Sequence, residues 1–95
     1  MTETIKLVLK HKWYDMIDRG EKTAEYRKIT PYYAARLLKN GHKKADSVIF
    51  YRGYGANRKQ MSFALSFISV GEGKQAWGAE PGEKYYILHL GRRLA

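Results

Sequence analysis

Residues 61–70 carry the longest strand signal in the chain and require a fold that contains a β-sheet. Apolar residues alternate along the first half of this run, as expected for a strand with one buried face. Ile68 and Val70 then fall out of this register, which predicts a β-bulge or a tight bend. A sheet built around this strand is therefore expected to bend.

Two short amphipathic helices are predicted early in the chain. The first, of about nine residues, carries Trp13 and Ile17 on its apolar side and ends at Gly20. Because Trp13 is in helical register with Ile17, it is assigned to the core. The second helix begins at Thr30-Pro31, with Thr as N-cap and Pro in the first helical position. Asn40-Gly41 is expected to end it.

The remaining strand patterns are short and separated by turns, mostly late in the chain. They fall at residues 5–9, 23–29, 47–51 and 85–90. With both helices early, this order predicts an α+β domain: a small curved sheet or barrel of about five or six strands with two helices beside it. Ninety-five residues make one domain, 1–95, with one modest core.

Composition excludes several classes of function. There are no cysteines, so disulfides, zinc ribbons and thiol catalysis are excluded. The three histidines are scattered, and neither a metal nor a cofactor is predicted. No apolar run approaches the roughly 18 residues of a membrane span, and the N-terminus does not resemble a signal peptide. A cytoplasmic protein without a membrane partner is therefore expected.

The charge balance favours a polyanionic partner. Eighteen Lys and Arg residues face nine Asp and Glu residues, for a formal net charge of +9. Such basicity, together with 14% aromatic residues, indicates a nucleic acid as partner. The alternative is a basic protein whose charges serve only solubility. The cations are spread along the chain, so a folded surface has to gather them.

The octapeptide at residues 20–27, GEKTAEYR, is the first candidate site. Lys22 could contact a phosphate, and Arg27 could make a bidentate contact with a phosphate or a base. Glu25 could accept a hydrogen bond from an exocyclic amine such as that of cytosine. Alternatively, Glu25 and Arg27 share one face of a strand and form an ion pair, which if exposed contributes roughly 0–1 kcal/mol.

A glycine-rich basic loop at residues 52–59 is the second candidate. Its glycines allow the backbone to approach a ligand closely. Arg52, Arg58 and Lys59 could contact phosphates, and Tyr54 could stack on a base. Trp77, in a later glycine-rich loop, is a further candidate for stacking. The alternative is a mobile hairpin loop surrounded by solvent.

The pattern Gly20-x-Lys22-x-x-Glu25-x-Arg27 after a short helix resembles the signature of the ASCH domain family, in the PUA-like superfamily. The resemblance implies a small β-barrel with helices beside it, a cleft faced by the motif, and RNA-related roles. One branch resembles this chain in its short length and comprises acetylcytidine amidohydrolases with catalytic Lys, Thr and Glu. Its Lys matches Lys22, Glu25 occupies the position of its Thr, and its Glu has no assigned counterpart here. Other members resemble ribonucleases.

Three hypotheses follow from these observations. In the first, the domain binds RNA or a nucleotide in a basic cleft built around the octapeptide. In the second, it is a hydrolase acting on RNA or a modified nucleoside, with Glu25 as general base and Lys22 as electrostatic stabiliser. In the third, it is a structural or partner-binding protein. Convergence of Lys22, Glu25 and Arg27 on an aromatic-walled pocket would distinguish the first two from the third.

Overall fold

Helices and strands alternate through the first half of the computed structural model, which describes residues 3–95. The helices are α1 (His11–Asp18) and α2 (Pro31–Leu37), and a 3₁₀ turn spans Gln75–Trp77. The strands are β1 (Thr4–Leu9), β2 (Ala24–Lys28), β3 (Leu38–Lys39), β4 (His42–Lys43), β5 (Ser47–Arg52), β6 (Gln60–Glu72) and β7 (Lys84–Arg93). Neither helix is long and apolar enough to cross a membrane, over the residues that the structure describes.

Five strands form one curled sheet in the order β1-β5-β6-β7-β2. β1 and β5 are parallel, and the other neighbours in this sheet are antiparallel. The sheet curls into a half-barrel with the two short helices, which confirms the predicted α+β class. β1 and β2 are the two edge strands, so the open side of the half-barrel lies between them.

The bend predicted for the longest strand is present in β6, slightly earlier than expected. Its register against β7 shifts twice, between Phe63 and Leu65 and again between Leu65 and Phe67. The first part of β6, up to Ala64, pairs with β5, and β6 pairs with β7 from Phe63 onward. Because a bulge increases the local twist, these shifts allow one long strand to serve both halves of the curled sheet.

The core fills the concave side of the sheet. Alternate residues of β1 are buried there, as the strand period requires. From the helices, Tyr14, Ile17 and Leu37 reach the same core. Trp13 does not: it is half-buried, and the adjacent Tyr14, 3% exposed, occupies the core position. The assignment of Trp13 to the core is therefore corrected, since α1 is rotated by about one residue from the expected orientation.

The helix ends follow the predicted chemistry with one exception. The Thr30 hydroxyl accepts a hydrogen bond from the Tyr33 amide at 3.1 Å, as an N-cap does, and Pro31 is the first helical residue. However, α2 ends at Leu37, and Asn40-Gly41 instead forms the turn between β3 and β4. Both turn residues have positive φ, 53° and 78°, which matches the Asn-Gly preference of two-residue hairpin loops.

Replacing Thr30 with Ala tests the N-cap. Loss of the hydroxyl acceptor leaves the Tyr33 amide without its partner, and we expect the free energy of unfolding to fall by about 1 kcal/mol. Thr23→Ala is the matched control, because Thr23 is exposed. Urea denaturation followed by circular dichroism measures both variants. Equal losses in the two variants would contradict an N-cap role for Thr30.

Candidate functional site

A cleft of about 900 Å³ lies along the open side of the half-barrel. One wall comes from the end of β1 and the start of α1, and the other from the edge strand β2. The glycine loop after β5 and the loop before β7 complete the rim. Five aromatic residues line the cleft: Trp13, Tyr26, Tyr33, Tyr54 and Tyr85.

A chain of three charged side chains lies at the β2 wall. The Lys22 Nζ donates to Glu25 Oε1 at 2.7 Å, and Arg27 donates through Nε and Nη2 to Glu25 Oε2 at 3.1 and 2.8 Å. Glu25 and Arg27 line the cleft. Lys22 does not line it, because its side chain is fully buried beneath the pair, with the residue only 1% exposed.

Local sequence explains this arrangement. Gly20, with φ of 81°, turns the chain at the end of α1, and the Lys22 amide bonds back to the Met16 carbonyl at 3.1 Å. Lys22 therefore lies at the start of the extended segment, beneath the edge of the sheet. There its Nζ also donates to the Ala24 carbonyl. Glu25 and Arg27 follow two residues apart on the strand and share one face, as predicted.

Arg27 also joins the two edges of the sheet. Its Nη2 donates to the Val8 carbonyl of β1 at 3.0 Å, and its Nη1 donates to the Tyr33 hydroxyl at 3.1 Å. The guanidinium has five N–H donors, and these contacts with Glu25, Val8 and Tyr33 occupy four of them. One donor on Nη1 and one acceptor position on Glu25 Oε1 stay without a partner within residues 3–95.

Burial and pairing act on these charges in opposite directions. Desolvation lowers the pKa of Lys22 below its ordinary value of 10.5, and attraction to Glu25 only partly offsets it. For Arg27, desolvation also disfavours the charged form, but Glu25 and the Tyr33 hydroxyl outweigh it and raise the pKa. The Arg27 guanidinium is consequently a permanent charge fixed at the wall of the cleft.

Three of the eight predicted site residues line the cleft: Glu25, Arg27 and Tyr54. Tyr54 is 86% exposed at the rim and makes no side-chain hydrogen bond within the described residues. Lys22 lies beneath the cleft, as described above.

The other four predicted residues lie outside the cleft. Arg52 is held by Asp15 through two hydrogen bonds of 2.9 and 3.0 Å. Arg58 lies over the Tyr51 ring at 4.0 Å, and Lys59 is exposed. Trp77 stacks on the far side of Tyr26, with 6.4 Å between ring centroids. The glycine loop therefore contributes one side chain to the cleft, Tyr54, together with the backbone at Gly53.

Sequence reasoning missed most of the aromatic wall. Periodicity singles out none of Tyr26, Tyr33 and Tyr85 as site residues, and it predicts Trp13 in the core. Three of these rings are fixed through their hydroxyls: Tyr33 accepts from Arg27 Nη1 at 3.1 Å, Tyr26 accepts from the Lys74 amide at 3.0 Å, and Tyr85 accepts from the Glu80 amide at 2.9 Å. The Tyr26 bond joins residues 48 positions apart, and such a long-range contact leaves no signal in local periodicity.

A glycine lies directly against Trp13. A Cβ at Gly78, whose φ is 100°, would lie 2.9 Å from the Trp13 ring. Only glycine fits there without a shift, so the loop before β7 can press against the indole and complete the rim of the cleft.

Charges around the cleft are mixed but include several cations. Lys10 and Lys28 line it together with Arg27, against the acids Glu25 and Glu80. Over residues 3–95, no three His, Asp or Glu side chains cluster as a metal site would require.

The chain matches no protein-family model, no curated protein and no solved structure. The resemblance of its motif to the ASCH family therefore stays a prediction from the sequence.

Replacing Lys22 with Met tests whether the buried charges stabilise the fold. The variant keeps the side-chain volume but removes one of the two cations that neutralise Glu25, so we expect a loss of about 3 kcal/mol in the free energy of unfolding. In the double variant Lys22→Met/Glu25→Gln, we expect the loss in free energy of unfolding to be smaller than the sum of the losses in the two single variants. The difference should be about 1 kcal/mol or more.

The exposed pair Arg19–Glu21 is the matched control for this cycle, because its side chains are 56% and 54% exposed. Its double-mutant cycle should give a much smaller coupling, since solvent screens the pair. Additive losses at Lys22 and Glu25 would show that the buried pair is not coupled.

The lowered pKa of Lys22 can be measured directly. We expect one lysine Nζ signal in a ¹⁵N NMR titration to lose its proton below pH 10.5, and that signal should be missing in Lys22→Met. Between the native pKa and 10.5, the unfolded chain holds this proton more tightly than the folded chain. The contribution of Lys22 to stability therefore rises with pH across that window. Titration at or above 10.5 would contradict the desolvation described here.

Proposed function

We propose that this domain binds single-stranded RNA or a nucleotide in the cleft between β1 and β2. One observation carries the proposal: a cleft with five aromatic rings has a fixed Glu25–Arg27 pair in its wall. Aromatic rings supply faces on which any base can stack, at about 1–3 kcal/mol per base. The size supports the proposal, since ligand clefts typically enclose about 300–1,000 Å³.

The free hydrogen-bonding positions support a base as ligand. Glu25 Oε1 retains one acceptor position and Arg27 Nη1 retains one donor. Nucleobase edges carry an amine or imino donor beside an acceptor, and cytosine presents its exocyclic amine in this way. Because Arg27 is fixed by Val8 and Tyr33, the pair is preorganised, and binding does not have to order it.

The charge distribution supports a phosphate-bearing ligand. The chain has a net charge of +9, and Lys10 and Lys28 lie at the cleft on opposite walls. Neither forms an ion pair within the described residues. Backbone phosphates flanking a stacked base would come within reach of both cations, and release of counterions would add to the affinity.

A hydrolase with Lys22 and Glu25 as catalytic residues stays a prediction that the geometry does not favour. Glu25 already accepts three hydrogen bonds from cations, which weakens it as a general base. Lys22 is buried and separated from the cleft by that carboxylate. A purely structural role is not favoured either, because the Glu25–Arg27 pair lies beside a cleft rather than on a flat exposed surface.

Replacing Tyr54 with Ala tests stacking in the cleft. The ring is almost fully exposed, so its removal should leave stability unchanged. We expect the affinity for fluorescein-labelled octacytidylate to fall by about 5- to 150-fold, the loss of one stacked base. Fluorescence anisotropy at several salt concentrations measures it.

Phe67→Ala is the control, because Phe67 is an exposed aromatic residue, 53% exposed, that does not line the cleft. Its affinity should stay within about twofold of the wild type. Absence of binding by the wild-type protein at low salt, or equal losses in both variants, would overturn the proposal.

A further inference from the structure

A second cavity, of about 390 Å³, lies at the other end of β1 from the cleft. The start of β1, the outer side of α2 and the segment before β5 enclose it. Three cations line it, Lys6, Arg36 and Lys44, against one acid, Glu3. None of these cations forms an ion pair among residues 3–95.

Arg36 is held at this cavity by one hydrogen bond and one aromatic contact. Its Nη2 donates to the Lys6 carbonyl at 2.7 Å, and its guanidinium lies 5.9 Å from the centre of the Tyr32 ring. Its remaining N–H groups have no partner within the described residues. Three cations without an ion-pair partner among residues 3–95 concentrate positive charge at this cavity, and a bound anion would offset their mutual repulsion.

The two cavities share the same two elements. Lys6 lies on β1, Lys10 directly follows the last residue of that strand, and Tyr33 and Arg36 lie about one turn apart on α2. Four strand residues span about 13 Å. That distance corresponds to about four stacked nucleotides at 3.4 Å each. A single strand with one base in the cleft therefore reaches the second cavity along the β1 edge.

We propose that the cavity formed by Lys6, Arg36 and Lys44 is a phosphate site for the same RNA strand, about four nucleotides from the base held in the cleft. This inference rests on the proposed function and extends it. It makes the ligand a strand of several nucleotides instead of a free nucleotide. The cleft contacts a base and its flanking phosphates, and the second cavity contacts a phosphodiester of the backbone.

Two double variants with the same change in charge test the phosphate site. Lys6→Gln/Lys44→Gln removes two cations of the cavity and spares Arg36, which supports the backbone of β1. Lys84→Gln/Arg92→Gln is the control, because both residues are exposed on β7 and line neither cavity. Anisotropy with labelled dicytidylate and octacytidylate measures each variant, and thermal melting checks that both are folded.

We expect the Lys6/Lys44 variant to bind octacytidylate at least about tenfold more weakly near 0.1 M salt. Its affinity for dicytidylate, which is too short to reach the second cavity, should stay within about twofold of the wild type. The control should lose less than about threefold for either ligand. Equal losses of octamer affinity in both double variants, or no loss in either, would overturn the phosphate site.

The variant Tyr54→Ala separates this inference from the proposed function. If it leaves octamer affinity unchanged while the Lys6/Lys44 variant weakens it, the base site in the cleft is overturned and the phosphate site is supported. If Tyr54→Ala weakens binding and the Lys6/Lys44 variant does not, the cleft is supported and the phosphate site is overturned. If the wild type binds neither ligand at low salt, both proposals are overturned.

Discussion

The Arg27 guanidinium joins the two edges of an incompletely closed sheet, and the geometry of the cleft depends on this contact. It bonds to the Val8 carbonyl on β1 and to the Glu25 carboxylate on its own strand. A buried cation is unfavourable unless it is paired and hydrogen-bonded. Glu25 forms an ion pair with Arg27 and also with Lys22, which lies beneath it. The three side chains together therefore carry one net positive charge. The open side of the half-barrel is thus bridged by side chains instead of backbone hydrogen bonds.

The same cluster divides the cleft into a fixed part and an exposed part. Arg27 and Glu25 are held by several hydrogen bonds each and the Tyr33 hydroxyl by one from Arg27, so they offer a ligand one defined arrangement. Tyr54, between Gly53 and Gly55 in the loop after β5, is mostly exposed and touches little. A ligand would therefore contact a preorganised polar wall. On the side of the protein, the main loss of conformational entropy on binding would come from the ordering of Tyr54 over the ligand.

Local patterns in the sequence predicted the parts of this site that depend on neighbours in the chain. The strand period placed Glu25 and Arg27 on one face, and Thr30-Pro31 was recognised as a helix start. The rotation of α1 was not predictable in this way, because it depends on contacts with parts of the chain that are distant in sequence. Asp15 bonds Arg52 on β5 and Asp18 bonds Arg93 on β7, and this rotation buries Tyr14 and turns Trp13 into the cleft. Asn40-Gly41 was assigned to a helix end because a helix stop and a hairpin turn favour the same residues.

The arginines also determine what kind of ligand the edge of β1 can accept. An edge strand with free carbonyls ordinarily invites pairing with another extended chain. Here Arg27 and Arg36 occupy the carbonyls of Val8 and Lys6, two residues apart on the same edge. A peptide that added to the sheet as a further strand would have to displace both guanidinium groups. Displacement of Arg27 would remove one of the two cations that neutralise the Glu25 carboxylate. The edge therefore presents aromatic faces and cationic donors to a ligand, and these groups match bases and phosphates better than a peptide backbone.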